Sequence, residues 1–229
     1  MKKLYSLSKE YINVNGSYGG SQNFFREDKG FFNKGKVAGG CGLIAVTDVT
    51  SYLLGQTFFE SRTEYKKLFN RNILSGLWLP LKSGITFIHE LLVLKALFLF
   101  KRIPCSCSWK FSRKKLYPRI REMLKNDIPV ILCIPRVLGR KNAKNDRLVF
   151  YNEKLEKAES TNGHFVTVTG IWEHTETSKL FLEISSWGRR YFISYEEYVV
   201  FLKKHLMGLL GNIMMIKRKD ISKNKAGLN

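Results

Sequence analysis

The sequence predicts an α+β protein in which a helical first half packs against an antiparallel sheet built from the second half. Three observations carry this. The apolar run Leu43 to Leu54 is too long for an ordinary strand and stops at Gly55, a residue suited to a helix C-terminus. A second strongly apolar stretch, from about Thr86 to Phe100, reads as another buried helix. Beyond residue 127 the pattern changes to short β-branched and aromatic runs separated by polar turns. Helices first and strands later is an α+β plan.

Taken in order, residues 1–40 read mainly as irregular, with one aromatic-rich piece, Tyr18-Gly19-Gly20-Ser21-Gln22-Asn23-Phe24-Phe25. The helix at Cys41 follows, then a polar amphipathic helix near Glu60–Phe69. Ser83-Gly84 opens the apolar helix, and a surface helix runs from Pro118, well suited to a first helical position, to Lys125. Ile128–Ile134 is a strand with Pro129 near its start. Arg140–Asp146 is a polar loop, Leu148–Tyr151 a strand, and 152–163 a second polar loop ending in Asn162-Gly163. His164–Thr169, Leu180–Ser185 and Arg190–Ile193 are strands; Ser194-x-x-Glu197 is a capping box opening a helix; Ile213–Ile216 closes the sheet. No linker, low-complexity tract or repeat divides the chain. The expectation is one domain over 1–229, with a helical half at about 1–126, a sheet half at about 127–217 and a basic tail at 217–229.

The formal net charge of the 229 residues is +20. Between Lys101 and Arg147 basic residues far outnumber the acidic Glu122, Asp127 and Asp146, and Lys217-Arg218-Lys219 opens a second basic run. Such a field draws anions: nucleic acid, anionic lipid or an acidic peptide. No zinc motif, recognition helix or aromatic RNA-binding signature accompanies it, so nucleic acid is not the expected partner. The start, Met1-Lys2-Lys3-Leu4-Tyr5-Ser6, lacks the apolar core of a signal peptide, and the apolar run Leu91–Phe100, interrupted by Lys95, is about half a membrane span. The expectation is a cytoplasmic protein without a transmembrane segment.

Cys41, Cys105, Cys107 and Cys133 form no disulfide framework in a chain of this size, and Cys105-x-Cys107 lacks zinc-knuckle spacing, so neither a metal nor a cofactor site is read. Cys41 stands apart. It lies between glycines at the first turn of the predicted helix, where free N–H groups and the helix dipole favour a thiolate. Of the histidines, His89 and His205 fall on predicted helices and His174 in a polar turn, whereas His164 follows Asn162-Gly163 at the mouth of a buried strand. That junction suits a rigidly held residue facing a cleft. The next strand ends in Ser185-Ser186-Trp187-Gly188, where the tryptophan can shield a polar pair from water.

Gly40-Cys41-Gly42, then Asn162-Gly163-His164-Phe165-Val166-Thr167-Val168-Thr169-Gly170, then Ser185-Ser186-Trp187-Gly188, resembles the papain-like cysteine peptidases, in particular the bacterial branch that includes double-glycine leader peptidases. Tyr18-Gly19-Gly20-Ser21-Gln22 is similar to an N-terminal motif of clostridial-type members. The resemblance lies in scattered motifs over residues 18–200. It implies Cys41 as nucleophile, His164 as base, Ser185 as the group that orients the imidazole, and Gln22 as the oxyanion donor. Two positions depart from the family. Ser185 stands where the family has Asn or Asp, with Glu183 as a possible substitute. Gly35 stands where the family's glutamine usually lies, which leaves Gln22 or Asn33 for the oxyanion hole. The implied activity is thiol hydrolysis of a peptide or related acyl bond, in a peptide or protein substrate that the basic surface would suit if acidic. The alternatives are a catalytically weak or retired papain-like scaffold that binds a peptide or partner, acyl transfer by the same pair, and a basic nucleic-acid-binding protein.

Overall fold

The computed structural model describes residues 1–28, 36–37, 39–75, 86–110, 115–136, 146–204 and 212–219. Ser83-Gly84, the loop 140–145 and the tail beyond 219 lie outside them. Among the described residues the fold is mixed α/β: five α-helices and a large antiparallel sheet.

The central helix α1 (Cys41–Leu53) is buried from Gly42 to Tyr52. A helix apolar on every side belongs in an interior, and α1 packs against sheet strands on one flank and helices α2 (Arg62–Ser75) and α3 (Phe87–Phe100) on the other. Its C-terminus closes as the sequence anticipates. Gly55 takes φ +78, its N–H reaches the carbonyl of Tyr52, and the Gln56 N–H reaches that of Ser51. This is a Schellman arrangement, which needs the left-handed conformation glycine adopts freely. Thr86 caps α3 by accepting from the His89 N–H.

The large sheet has nine strands. From one edge they run β5 (Cys105–Lys110), β12 (Ile213–Arg218), β6 (Val130–Ile134), β9 (His164–Glu173), β10 (Leu180–Ser186), β11 (Arg189–Ser194), β7 (Leu148–Tyr151) and β8 (Lys157–Thr161). The ninth, β1 (Lys2–Ser6), pairs with the far end of β9, on Gly170–Glu173, while β6 takes His164–Val168. A small second sheet joins β2 (Asn13–Val14), β3 (Ser17–Tyr18) and β4 (Phe58–Phe59). Helices α4 (Leu116–Lys125) and α5 (Tyr195–Lys204) complete the chain, α5 opening at Ser194, whose hydroxyl accepts from the Glu197 N–H.

Several expectations change. Among the described residues of 1–40, which are otherwise largely irregular, lie β1, β2, β3 and a 3-10 turn at Gln22–Phe25. The 152–163 loop contains β8, which pairs with β7 although its sequence, Lys-Ala-Glu-Ser-Thr, is polar on both faces. β5 was not foreseen, and α4 begins at Leu116, ahead of Pro118. The two halves therefore interleave: β1 and β5 come from the first and join the sheet, and α5 comes from the second. Among the described residues no helix is long and apolar enough to cross a membrane.

Candidate active site

Cys41 is the first residue of α1. Gly40 precedes it and accepts from the Ile44 N–H; a Cβ at Gly40 would meet the Lys36 carbonyl oxygen at 2.3 Å. The glycine lets the chain turn into the helix this tightly. The thiol lines a narrow cavity shared with Gln22, Asp48, His164, Ser185, Ser186 and Trp187. Residues from the N-terminal loop, the central helix and two strands thus meet at one point. The free space is about 20 Å³, room for a single water.

His164 opens β9, directly after Gly163, whose φ is +73. Its Nε2 lies 2.8 Å from the Ser186 hydroxyl. The group on the imidazole is therefore Ser186, not the expected Ser185. The Ser185 hydroxyl donates instead to the Tyr18 carbonyl at 2.9 Å. Adjacent residues of a strand point to opposite faces, so one step along β10 exchanges the imidazole for the N-terminal loop. Glu183 is not a substitute either: it accepts from Tyr18 Oη (2.7 Å), Thr169 Oγ1 (3.0 Å) and Trp172 Nε1 (2.6 Å). Trp187 and Gly188, with φ +51 and +76, form the two-residue turn between Ser186 and Arg189. The Trp187 ring stacks on His164, centroids 4.5 Å apart.

Asp48 is a site residue the sequence reading missed. It lies two helical turns beyond Cys41, on the same face of α1. Its carboxylate accepts from Tyr65 Oη at 2.6 Å, Tyr11 Oη at 3.3 Å and the Gly20 N–H at 3.0 Å. It thereby ties down the Gly19-Gly20-Ser21 backbone that carries Gln22 into the cavity. A Cβ on Gly19 would meet Ser185 Oγ at 2.1 Å, and one on Gly20 would meet Tyr65 Oη at 2.0 Å. Both glycines are set by close approach. The signal available in the sequence was an acid inside an otherwise apolar helix. Of the other candidates, Asn33, Gly35 and His205 lie outside the described residues. His89 and His174 sit beside Thr86 and Thr177 and play no part here.

Burial pushes the Cys41 thiol up to about 11. The N–H of Phe165 works against this, Glu90 adds to it, and the N–H groups of Gly42 and Cys41 oppose it. The helix N-terminus favours the thiolate as anticipated, but desolvation outweighs it. Burial likewise holds His164 down at about 3. Both groups lining the cavity are therefore neutral, a thiol and an imidazole. Burial raises Asp48 to about 6, against the pull of its hydrogen-bond donors. Among the described residues no group of three or more His, Cys, Asp or Glu side chains could hold a metal ion. Compared with protein-family models, with curated proteins and with solved structures, the chain matches none.

Proposed function

We propose that the chain is a papain-like thiol hydrolase that cleaves a peptide or related acyl bond. The observation that supports this best is the convergence of Cys41, His164 and Gln22 on one small cavity, with the cysteine at a helix N-terminus. The Nε2 of His164 is occupied by Ser186, which leaves Nδ1 for the thiol proton. Cys41 Sγ gives its proton to His164 and attacks the carbonyl carbon. The oxyanion accepts from the Cys41 N–H and the Gln22 side-chain amide. The intermediate collapses to a thioester as His164 protonates the leaving amine. A water then loses a proton to His164, attacks the thioester and releases the acid and the free thiol.

Incubation with a proteome-derived peptide library, with new termini read by mass spectrometry, tests this. Products from the wild type that are missing with a folded Cys41→Ala variant carry the reading. Identical product lists from the two proteins overturn it.

One observation favours a second reading, a papain-like scaffold that binds a peptide without turnover. The imidazole has an uncharged serine hydroxyl as its partner, and the thiol is held at about 11. Peptide binding without any Cys41-dependent product is its signature.

A further inference from the structure

A second, larger groove opens beside the cysteine cavity, with a volume of about 570 Å³. That is within the usual range for ligand sites, about 300–1,000 Å³. It shares Gln22 and Trp187 with the cavity, so the proposed oxyanion donor and the ring that covers His164 form a wall common to the two. Among the described residues its walls carry Arg26, Arg62, Arg147 and Arg189 against one carboxylate, Glu159.

These guanidinium groups come from four separate segments of the chain, so their convergence is a property of the fold rather than of a basic run. Each also has local support or a fixed base. Arg62 lies over the Phe24 ring, 5.2 Å from its centroid. Arg26 Nη2 donates to Asn23 Oδ1 at 3.1 Å, and Arg147 Nε donates to Ser160 Oγ at 3.0 Å. Arg189 begins β11 immediately after the Trp187-Gly188 turn. Arg147 Nη2 also donates to the Ser160 carbonyl, so its side edge is already occupied and only its Nη1 edge is open; guanidinium groups held at the base lose little freedom on meeting a carboxylate.

We infer that this groove is an anion-reading subsite that selects peptides carrying Asp or Glu beside the bond presented to Cys41. The inference rests on the hydrolase reading for the word "bond", but the groove and its charge do not depend on it. Acidic peptide is favoured over other polyanions because the groove shares a wall with a cavity whose groups handle acyl carbons, and nucleic acid offers the thiol none. The rest of the basic surface steers anions in general; this groove is where a carboxylate would be read at contact distance.

The test uses the full chain with Cys41→Ala, so that binding is measured without chemistry. The probes are a fluorescein-labelled glutamate-rich peptide and the same peptide with lysine at each glutamate, followed by fluorescence anisotropy. The glutamate peptide is expected to bind, the lysine peptide not to bind, and Arg62→Ala with Arg189→Ala to weaken binding by at least about tenfold. Lys203→Ala with Lys217→Ala, which lowers the net charge by the same amount elsewhere, should leave it nearly unchanged. All four residues are exposed, so the variants are expected to fold. Equal binding of the two peptides, or equal loss from the lysine and arginine pairs, overturns the proposal. So does tighter binding of a single-stranded oligonucleotide or of phosphatidylglycerol vesicles that is lost with the same arginines. If the glutamate peptide binds through these arginines but the wild type cleaves nothing in the library, the groove stands and the hydrolase reading falls. If cleavage occurs without regard to Asp or Glu, the reverse holds.

Discussion

Trp187 lies flat against His164, their ring centroids 4.5 Å apart and their planes 21° from parallel. A tryptophan at φ +51 occupies a conformation that costs a residue with a bulky side chain about 1–3 kcal/mol, and such positions persist only where the surroundings enforce them. Here Phe150 and Tyr191 pack on the same ring, 5.5 and 6.2 Å between centroids. The indole thus covers the imidazole that holds the Ser186 hydroxyl, and burial of that imidazole is what depresses it.

Trp187→Gly separates the two consequences. Glycine accepts the turn without strain, whereas His164 loses its cover. The imidazole should then titrate well above about 3 and approach its ordinary value near 6.5. A proton NMR titration of the histidine ring signals reads this directly. An unmoved His164 would show that burial by the sheet, not the tryptophan, sets its protonation.

Ser185 and Ser186 are neighbours with different work to do. Ser186→Ala removes the hydroxyl on His164 Nε2 and, if the proposed hydrolysis holds, should lower turnover by about tenfold, corresponding to ~1–1.5 kcal/mol. It should also change the nitrogen shifts of the His164 ring. Ser185→Ala removes a tie to the Tyr18 carbonyl and should loosen the N-terminal loop while leaving the ring shifts in place. If Ser185→Ala alone moves those shifts, the assignment of partners is wrong.

Asp48 makes the site pH-sensitive in a defined direction. Its carboxyl titrates at about 6 in the fold against an ordinary 3.8. The folded protein therefore binds the proton more tightly than the unfolded chain. This contribution to stability is fully present below pH ~4 and declines as the pH rises through about 6. His164 runs the opposite way: held at about 3 against 6.5, it takes stability away as the pH falls below 6.5. The wild-type curve mixes the two, so the informative quantity is the difference from Asp48→Asn across urea denaturations from pH 4 to 7. That difference should carry the Asp48 slope alone. Gly20→Ala, which drives a methyl into Tyr65 Oη, should cost about 1–3 kcal/mol and displace Gln22 from the cavity.

The parts of this arrangement that a sequence shows are those encoded within one segment. The Cys41 helix was legible from a long, mainly apolar run and a closing glycine, and His164 from Asn162-Gly163 ahead of a β-branched strand. What was not legible depends on distant partners. The choice between Ser185 and Ser186 turns on which face of β10 meets the imidazole, and motif alignment does not settle it. Asp48 acquires its role only through Tyr11, Tyr65 and Gly20, brought from three other places. β8 is polar on both faces, so its pairing with β7 leaves no hydrophobic alternation to find. β5, Cys-Ser-Cys-Ser-Trp-Lys, alternates in burial, but only its partner β12, more than a hundred residues later, makes the cysteines a buried face.

Glu90 carries the last prediction. It sits in the first turn of α3 at 0% exposure, and neither carboxylate oxygen has a hydrogen-bond partner among the described residues. Burial pushes its carboxyl well above the ordinary 4.5, so it is held as a neutral acid. By the same linkage as Asp48, its contribution to stability is complete below pH ~4.5 and is lost progressively at higher pH. Glu90→Met replaces the acid with an apolar side chain of similar length and should stabilise the protein by about 1–3 kcal/mol at pH 8, because an unsatisfied buried polar group costs that much. Glu90→Gln should remove the alkaline decline without that gain, since its amide is equally unpartnered. Denaturation midpoints at pH 5 and pH 8 decide it. A Glu90→Met protein weaker than the wild type at both pH values would mean that the carboxyl makes a bond the fold depends on.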